Sequence, residues 1–385
     1  MRVAVVGGGI GGLVAALALR RAGCDVRVYE QAPAVGTVGA GIQLAPNATR
    51  ILDALGVLPA VRRVAVAPTA FEFRRWDDGR LLSSTALGPA AQDAYGAPYL
   101  HVHRGDLVAV LADVVPVETG ARCVDVAPGA RDAEVRFAGG RVERADLVVG
   151  ADGIHSVVRH AILGAADARF TGHVAFRGLI PAARVAGLPV ERTATVRMGP
   201  GRHFVHYFVS AGRLLNVVCV VEENTWTRES WTDRGDPAEL RAAFAGWDPV
   251  VRSLVDALDA PLKWALFDRL PFGRWSKGPV TLLGDACHPM LPYGAQGAAQ
   301  AIEDAWVLAA CLRDNDDVPA ALARYETLRH DRTARVQELS RGNAVRFHLP
   351  DGPQQEARDA AIASSNGLSP DIDWLYGYDP LAGHA

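Results

Sequence analysis

The first twelve residues restrict the fold more than any other stretch. Arg2–Val6 reads RVAVV, the valine-rich run expected of a short strand covered on both faces, and it leads straight into Gly7-x-Gly9-x-x-Gly12. Glycines at that spacing permit a tight strand-to-helix turn, close approach of a pyrophosphate and close packing of helix on strand. A helix is predicted next, with an apolar face that includes Leu13, Ala16, Leu17 and Leu19 and an end near Gly23, followed by a second strand over Val26–Tyr29. Glu30 closes that strand 18 positions after Gly12, where a carboxylate accepts hydrogen bonds from a ribose diol. An acid there disfavours a 2′-phosphate, so the unit is expected to hold FAD or NAD and not NADP. The helix N-terminus adds free N–H groups and partial positive charge for the phosphates.

The bulk numbers narrow the rest. A chain of 385 residues has room for two closely joined domains. Its five cysteines, Cys24, Cys123, Cys219, Cys287 and Cys311, are scattered without a C-x-x-C pair or zinc-type spacing, which predicts a reduced, cytoplasmic protein with no metal site. A net charge of −3 gives no electrostatic reason to expect nucleic acid or an anionic membrane as partner. The glycines at 7–9 interrupt the apolar N-terminal run, against a secretory signal, and no stretch offers the ~20 uninterrupted apolar residues of a membrane span.

Further along, 65–100 reads as short strands, with Ala70–Trp76 alternating through Phe71 and Phe73. Helix is expected over 103–113, a hairpin leading into the strand Asp146–Val149 over 134–149, and a short helix over 155–163. A second strand-rich stretch covers 172–222, in which Phe204–Val209 and Leu214–Val221 are predicted to pair antiparallel. Helices are expected at 237–258, 297–313 and 319–346 around the strand Val280–Leu283, and 349–372 looks linker-like from its Pro, Gly, Ala and Ser content. The fold class that results is α/β: a Rossmann-like dinucleotide-binding domain with an inserted β-rich substrate domain and C-terminal helices.

Two more loops carry polar chemistry at strand ends. Gly150-Ala151-Asp152-Gly153 follows Asp146–Val149, with Arg159 on the next helix. Alone it reads more readily as a surface turn capped by Asp152 than as a carboxylate aimed at a ligand, and its position relative to the first motif reverses that order. Gly284-Asp285 follows Val280–Leu283 and precedes Pro292-Tyr293-Gly294-Ala295-Gln296-Gly297-Ala298, where a helix begins. Asp285 suits a polyol hydroxyl, and the helix entrance suits negative charge on a reduced flavin ring. An ordinary helix start after a strand is the plainer alternative.

In this order the three constellations resemble the class A flavoprotein monooxygenases of the p-hydroxybenzoate hydroxylase fold, over nearly the whole chain. The resemblance implies an FAD-binding domain built from 1–68, 101–171 and 268–348, a substrate domain from 69–100 and 172–267, and a C-terminal segment 349–385. It implies FAD contacts from Gly7, Gly9, Gly12, Glu30, Gln31, Gly41, Val124, Asp152, Asp285, Gly297 and Ala298, and from Arg104 within His103-Arg104-Gly105-Asp106-Leu107. Gly39-Ala40-Gly41-Ile42-Gln43, His288-Pro289-Met290 and Trp374-Leu375-Tyr376-Gly377-Tyr378-Asp379 are most similar to the salicylate hydroxylase and 6-hydroxynicotinate 3-monooxygenase branch. By that likeness His203 and Tyr207 are the catalytic pair, and Gln43, Arg177 and Tyr293 line the substrate. Residues four apart on a strand share a face, so His203 and Tyr207 point together and His206 points away. Gln43 and Tyr293 stand where the 6-hydroxynicotinate enzyme has histidines, a departure that argues against that substrate, and Ala295 replaces a loop glycine as a small change.

The resemblance further implies reduction of FAD by NADH or NADPH as a transient cosubstrate, O2 addition at the flavin C4a, and transfer of an electrophilic OH to a small phenolic or hydroxylated aromatic acid. Attack at a carboxyl-bearing carbon would expel CO2. His203 is the expected base, its ordinary pKa lying near ~6.5, with a solvated strand histidine as the alternative; for Tyr207 the alternative to binding substrate is core packing. A flavin oxidase or dehydrogenase on the same fold, a hydroxylase of a larger natural-product intermediate and a flavin-binding module without turnover are the competing readings. A monomer and a homodimer are equally compatible with the sequence.

Overall fold

Valines set the first sheet. Val3–Val6 pair in parallel with Leu147–Gly150 on one side and with Val26–Tyr29 on the other, so that Val5 lies between Val149 and Val28. The computed structural model describes residues 1–36, 39–164, 168–223, 234–365 and 370–382. Around this centre six strands align in the order Ser276–Lys277, Val280–Leu282, Leu147–Gly150, Arg2–Val6, Asp25–Tyr29, Val117–Glu118. The chain leaves Arg2–Val6 toward one neighbour and returns later on its other side. The carboxyl ends of Arg2–Val6 and Leu147–Gly150 therefore flank a switch point, where an open α/β sheet leaves a crevice. The helices Ile10–Arg21 and Gly297–Arg313 pack against each other within this core, and a three-stranded antiparallel sheet of Cys123–Pro128, Ala133–Phe137 and Val142–Ala145 completes it.

The second sheet has seven strands, in the order Leu262–Asp268, Arg169–Pro181, Leu214–Glu222, Arg202–Val209, Thr193–Gly199, Ala70–Arg75, Leu81–Ala86. Arg202–Val209 and Leu214–Glu222 form the expected antiparallel pair. Strand alternation splits this sheet into two unlike faces. Phe204, Phe176, Val217 and Cys219 pack under the helices Pro237–Ala243 and Pro249–Asp256. Val205, Val218, Val220, Val196 and Ala175 point the other way, toward Tyr293 and Phe347.

Three local expectations need correction. The helix expected over 237–258 is two helices, because Asp248 caps a fresh start at Pro249 by accepting from the Val250 and Val251 amides. The strand-rich reading of 65–100 missed a helix at Pro89–Tyr95, bracketed by Gly88 and Gly96 at positive φ. The linker-like 349–372 is helical over Pro353–Ser364 and again from Pro370, while 366–369 lie outside the described residues. There Pro353 sits in a first turn, where its missing N–H costs nothing, and Ile362 buries against Phe347.

One helix, Val318–Phe347, joins the two cores: Ala321, Leu322 and Tyr325 belong to the first, Ala344 and Phe347 to the second. Its Arg329 and Arg332 meet Glu303 and Asp304 of the neighbouring helix in a fully buried cluster. Arg329 Nη1 bonds Glu303 Oε2 at 2.5 Å and its Nε bonds Asp304 Oδ1 at 2.7 Å, while Arg332 Nε bonds Glu303 Oε2 at 2.7 Å. Removing one partner strands a charge in low dielectric. Arg329→Met is therefore expected to cost about 3–5 kcal/mol in chemical denaturation; a loss below about 1 kcal/mol would show the cluster to be solvated.

Candidate active site

The three glycines of the first turn have separate jobs. Gly7 has φ +111, and a Cβ on it would lie 2.3 Å from the Ala151 carbonyl oxygen, so the turn and the facing strand end demand glycine. A Cβ on Gly12 would lie 2.0 Å from the Gly7 carbonyl oxygen, which fixes the packing of helix on turn. At Gly9 the nearest atom is the Arg104 guanidinium, 3.9 Å away, which leaves this flank open to a ligand. Glu30 accepts from the Gly8 and Ala32 amides, each at 2.8 Å, and so stands at the turn as a charged acceptor. Gln31 is exposed beside it, and Val124 is exposed at a register shift between Cys123 and Asp125, where a bulge frees its backbone from the ladder.

The other two loops converge on the same crevice. Asp152 follows the strand whose end abuts Gly7, but its carboxylate is engaged locally: it accepts from Ser156 Oγ at 2.5 Å and from the Val158 amide at 3.1 Å. Burial holds its pKa above the usual carboxylate range. Its observed role is to anchor the helix Val157–Leu163, with Arg159 buried on that helix. Asp285 is solvent-accessible yet surrounded by protein, and that setting raises its pKa against the pull of His288 and Arg104. A Cβ on Gly297 would lie 3.9 Å from Asp285 Oδ1, so the Gly284-Asp285 loop and the Gly297-Ala298 helix entrance are neighbours. No side chain caps either the Ile10–Arg21 helix or the Gly297–Arg313 helix at its N-terminus, which leaves both sets of amides for an anion. Ala295 is at φ 52, a left-handed conformation that explains why a glycine is easily accommodated there.

The aromatic end lies on the inner face of the seven-stranded sheet. Tyr207 contacts the His101 ring at 4.6 Å and is hydrogen bonded by Gln43, whose Oε1 also accepts from Tyr99 Oη at 2.5 Å. Gly41 donates its amide to Asn216 Oδ1 at 2.7 Å, and a Cβ on it would lie 2.7 Å from Tyr207 Cε2, so glycine lets the Gly41–Leu44 strand press onto the pocket floor. Arg177 stacks on Trp264 at 4.5 Å and senses Tyr207 and Tyr293, while its Nε is buried with no hydrogen-bond partner among the described residues. His203 packs on Tyr293 at 5.0 Å and on Phe347 at 5.4 Å, and its Nδ1 lies 2.7 Å from His348 Nε2. Tyr293 keeps a buried hydroxyl without a hydrogen-bond partner among the described residues. His206 turns to the opposite face and meets Arg197 Nη1 at 2.9 Å, as strand alternation predicts.

Sequence reasoning missed His101, Tyr99, Asn216, Trp264, Phe347 and His348. His101 was within reach, two positions before His103-Arg104 on one strand; His348 had no signal, because it follows a long helix and is brought to His203 by tertiary packing alone. Two groupings place nitrogen, sulfur or oxygen donors within 4.8 Å of one another, His173 with Glu222 and His348, and Cys287 with His288 and Asp304. In both, close atoms are already hydrogen bonded, His348 Nδ1 to Glu222 Oε1 at 3.1 Å and His288 Nε2 to Asp304 Oδ2 at 2.5 Å, so we assign neither as a metal centre.

The model of the FAD binding domain family matches residues 1–340. The chain is 44% identical to the 3-amino-4-hydroxybenzoate 2-monooxygenase of Streptomyces platensis, over 98% of this chain and 96% of that one. It is 41% identical to the 6-hydroxynicotinate 3-monooxygenase of Bordetella bronchiseptica, over 99% and 96%. Among solved structures, HpxO of Klebsiella pneumoniae complexed with FAD and uric acid superposes with a TM-score of 0.87 at 30% identity, covering 98% of this chain and 96% of that one. A salicylate hydroxylase substrate complex gives 0.83 at 28%, over 98% and 96%. The chain belongs to the FAD binding domain family and is a class A FAD-dependent aromatic monooxygenase. The residues fit that cofactor: an open flank at Gly9, the Glu30 carboxylate, the accessible Asp285 and two uncapped helix N-termini face one crevice. No helix among the described residues is long and apolar enough to cross a membrane.

Two outcomes follow from this geometry. Gly12→Ala drives a methyl into the Gly7 carbonyl, so the purified variant is expected to retain less than about a tenth of the wild-type flavin absorbance; equal loading would refute the packing argument. Acid lability is the second. His101, His206 and His348 are held at about 3, chiefly by burial, with Arg197 adding to the effect at His206. Unfolding returns them to an ordinary value near ~6.5. The unfolded chain then binds more protons, so stability falls as pH drops from about 6.5 toward 3, by up to about 1.4 kcal/mol per pH unit for each histidine. Denaturation midpoints unchanged between neutral and mildly acidic buffer would contradict it.

Proposed function

We propose that this monooxygenase hydroxylates a small hydroxybenzoate, with an amino-substituted 4-hydroxybenzoate as the leading candidate. Arg177 carries the reading. A guanidinium whose Nε is buried and unpartnered among the described residues, stacked on Trp264 and close enough to Tyr207 and Tyr293 to sense both, is a site for a planar aromatic acid whose carboxylate completes the pair. On the sheet Arg177 lies opposite Val218, which lies opposite Val205, midway between His203 and Tyr207. A ring over Val205 and Val218 is thus flanked by both candidate polar groups. The relatives named for 3-amino-4-hydroxybenzoate and 6-hydroxynicotinate act on acids of this size, and Tyr293 and Gln43 favour the benzoate.

When bound, FAD would supply the oxygen chemistry, with NADH or NADPH as the reductant and O2 as the source of the transferred hydroxyl. The chain does the rest. Tyr207, held by Gln43 and kept protonated by burial, donates a hydrogen bond to a substrate oxygen. His203, kept neutral by burial, takes the ring hydroxyl proton and makes the ring more nucleophilic. The apolar walls, Val205, Val218, Trp264 and Phe347, keep water away from the reacting atoms. Asp285 and the Gly297 amides would hold the flavin chain and ring edge, Arg104 and the Gly9 flank the pyrophosphate, and Glu30, Gln31 and the Val124 bulge the adenosine end.

The direct test is a panel of aminohydroxybenzoates, hydroxybenzoates and hydroxynicotinates, scored for stimulated NAD(P)H consumption and for 18O2 incorporation into product. Stimulation without label in the product would indicate an oxidase. Arg177→Gln is expected to raise KM for the acid by ~30-fold or more, the cost of losing a buried charged partner, while affinity for the uncharged carboxamide analogue changes little. Equal effects on acid and amide would remove Arg177 from carboxylate binding.

A further inference from the structure

We propose that His203, His348 and Glu222 form a proton relay from the floor of the aromatic pocket to solvent, with His348 as its indispensable middle member. This rests on the reading of His203 as the group that takes the substrate's hydroxyl proton.

The chain of contacts is unbroken. His203 Nδ1 lies 2.7 Å from His348 Nε2, and His348 Nδ1 lies 3.1 Å from Glu222 Oε1. Its two inner members are buried, with the His348 side chain 2% exposed, and its outer end reaches solvent, with the Glu222 side chain 53% exposed. Among the described residues the bond to His348 is the one side-chain hydrogen bond His203 makes. Three separate elements supply the members: Arg202–Val209, the residue that ends the Val318–Phe347 helix, and the last residue of Leu214–Glu222. His348 is itself pinned, since its carbonyl accepts from the Gly201 amide at 3.0 Å.

The surroundings suit neutral imidazoles. Tyr293 and Phe347 face the His203 ring, and His173 meets His348 edge-on at 5.0 Å. Arg202 and His173 add to burial in disfavouring the charged form of His348, and Glu222 is its acidic neighbour. A neutral imidazole carries one N–H and one lone pair, which is what passing a proton through the ring requires. The alternative, leaving the proton on His203, makes an imidazolium in a dry pocket at a high desolvation cost.

The transfer balances. The substrate O–H bond breaks as its proton joins His203 Nε2, and the Nδ1 proton of His203 passes to His348 Nε2. The Nδ1 proton of His348 then passes to Glu222 Oε1, which releases it to water. The substrate ends as phenolate, both imidazoles end neutral with the proton on the opposite nitrogen, and one proton moving inward at product release resets them.

The test mixes FAD-loaded enzyme with saturating 3-amino-4-hydroxybenzoate in weak buffer and follows an indicator dye by stopped flow, with substrate affinity measured in parallel. Wild type is expected to release a proton rapidly on binding. His348→Gln is expected to slow that release by ~10-fold or more with little change in affinity, Glu222→Gln to slow it less, and added imidazole to restore the rate in His348→Ala. Release as fast as wild type in both His348 variants, with release abolished in His203→Gln, overturns the relay and leaves the base assignment standing. Undiminished release in His203→Gln overturns both. Slow release that imidazole fails to restore in His348→Ala, together with a normal rate in His348→Gln, marks His348 as a packing residue and overturns the relay.

Discussion

The buried ion cluster of Glu303 and Asp304 with Arg329 and Arg332 is the constraint on which the site depends. Such clusters add little stability over a well-packed apolar core, because desolvating four charges offsets their attraction; what they supply is register. Here each free lone pair is used to hold something else. Asp304 accepts from the Gly284 amide at 3.0 Å and from His288 at 2.5 Å, which positions the loop carrying Asp285. Glu303 accepts from Asn47 at 2.6 Å, just beyond the strand that carries Gly41 and Gln43. Arg332 is covered by Tyr378 at 3.8 Å and Trp374 at 4.6 Å, which docks the C-terminal turn. Flavin loop, pocket strand and tail are thus referred to one set of charges.

The same helix that carries the arginines ends at Phe347 and His348, against the inner face of the second sheet. A rigid rod of ~1.5 Å rise per residue thus ties the first core to the inner face of the second sheet. Gly41 works at the junction from the other side, since only a residue without Cβ lets its strand meet Asn216 and Tyr207. Two modules with separate cores are in this way held in a fixed relation.

How much of this was legible in the sequence follows from how local each signal is. The Arg2–Tyr29 unit was readable because strand, turn and acid are contiguous, and the shared face of His203 and Tyr207 because strand period is a local property. At Asp152 the sequence leaves two readings, because a carboxylate at a strand end looks the same whether it faces a ligand or caps the next helix; in the fold it accepts from Ser156 and Val158. The helix Pro353–Ser364 was hidden because Gly and Pro mark loops and helix starts alike. His348 and Trp264 were unreadable, since their roles come from packing between segments far apart in the chain.

Strand alternation in the second sheet has a practical corollary. His203, Val205, Tyr207, Asn216, Val218, Ala175 and Arg177 all belong to one surface of it, while Phe204, His206, Val217 and Phe176 belong to the other. Directed evolution of ring selectivity can therefore randomise every second position along these strands and leave the intervening scaffold untouched.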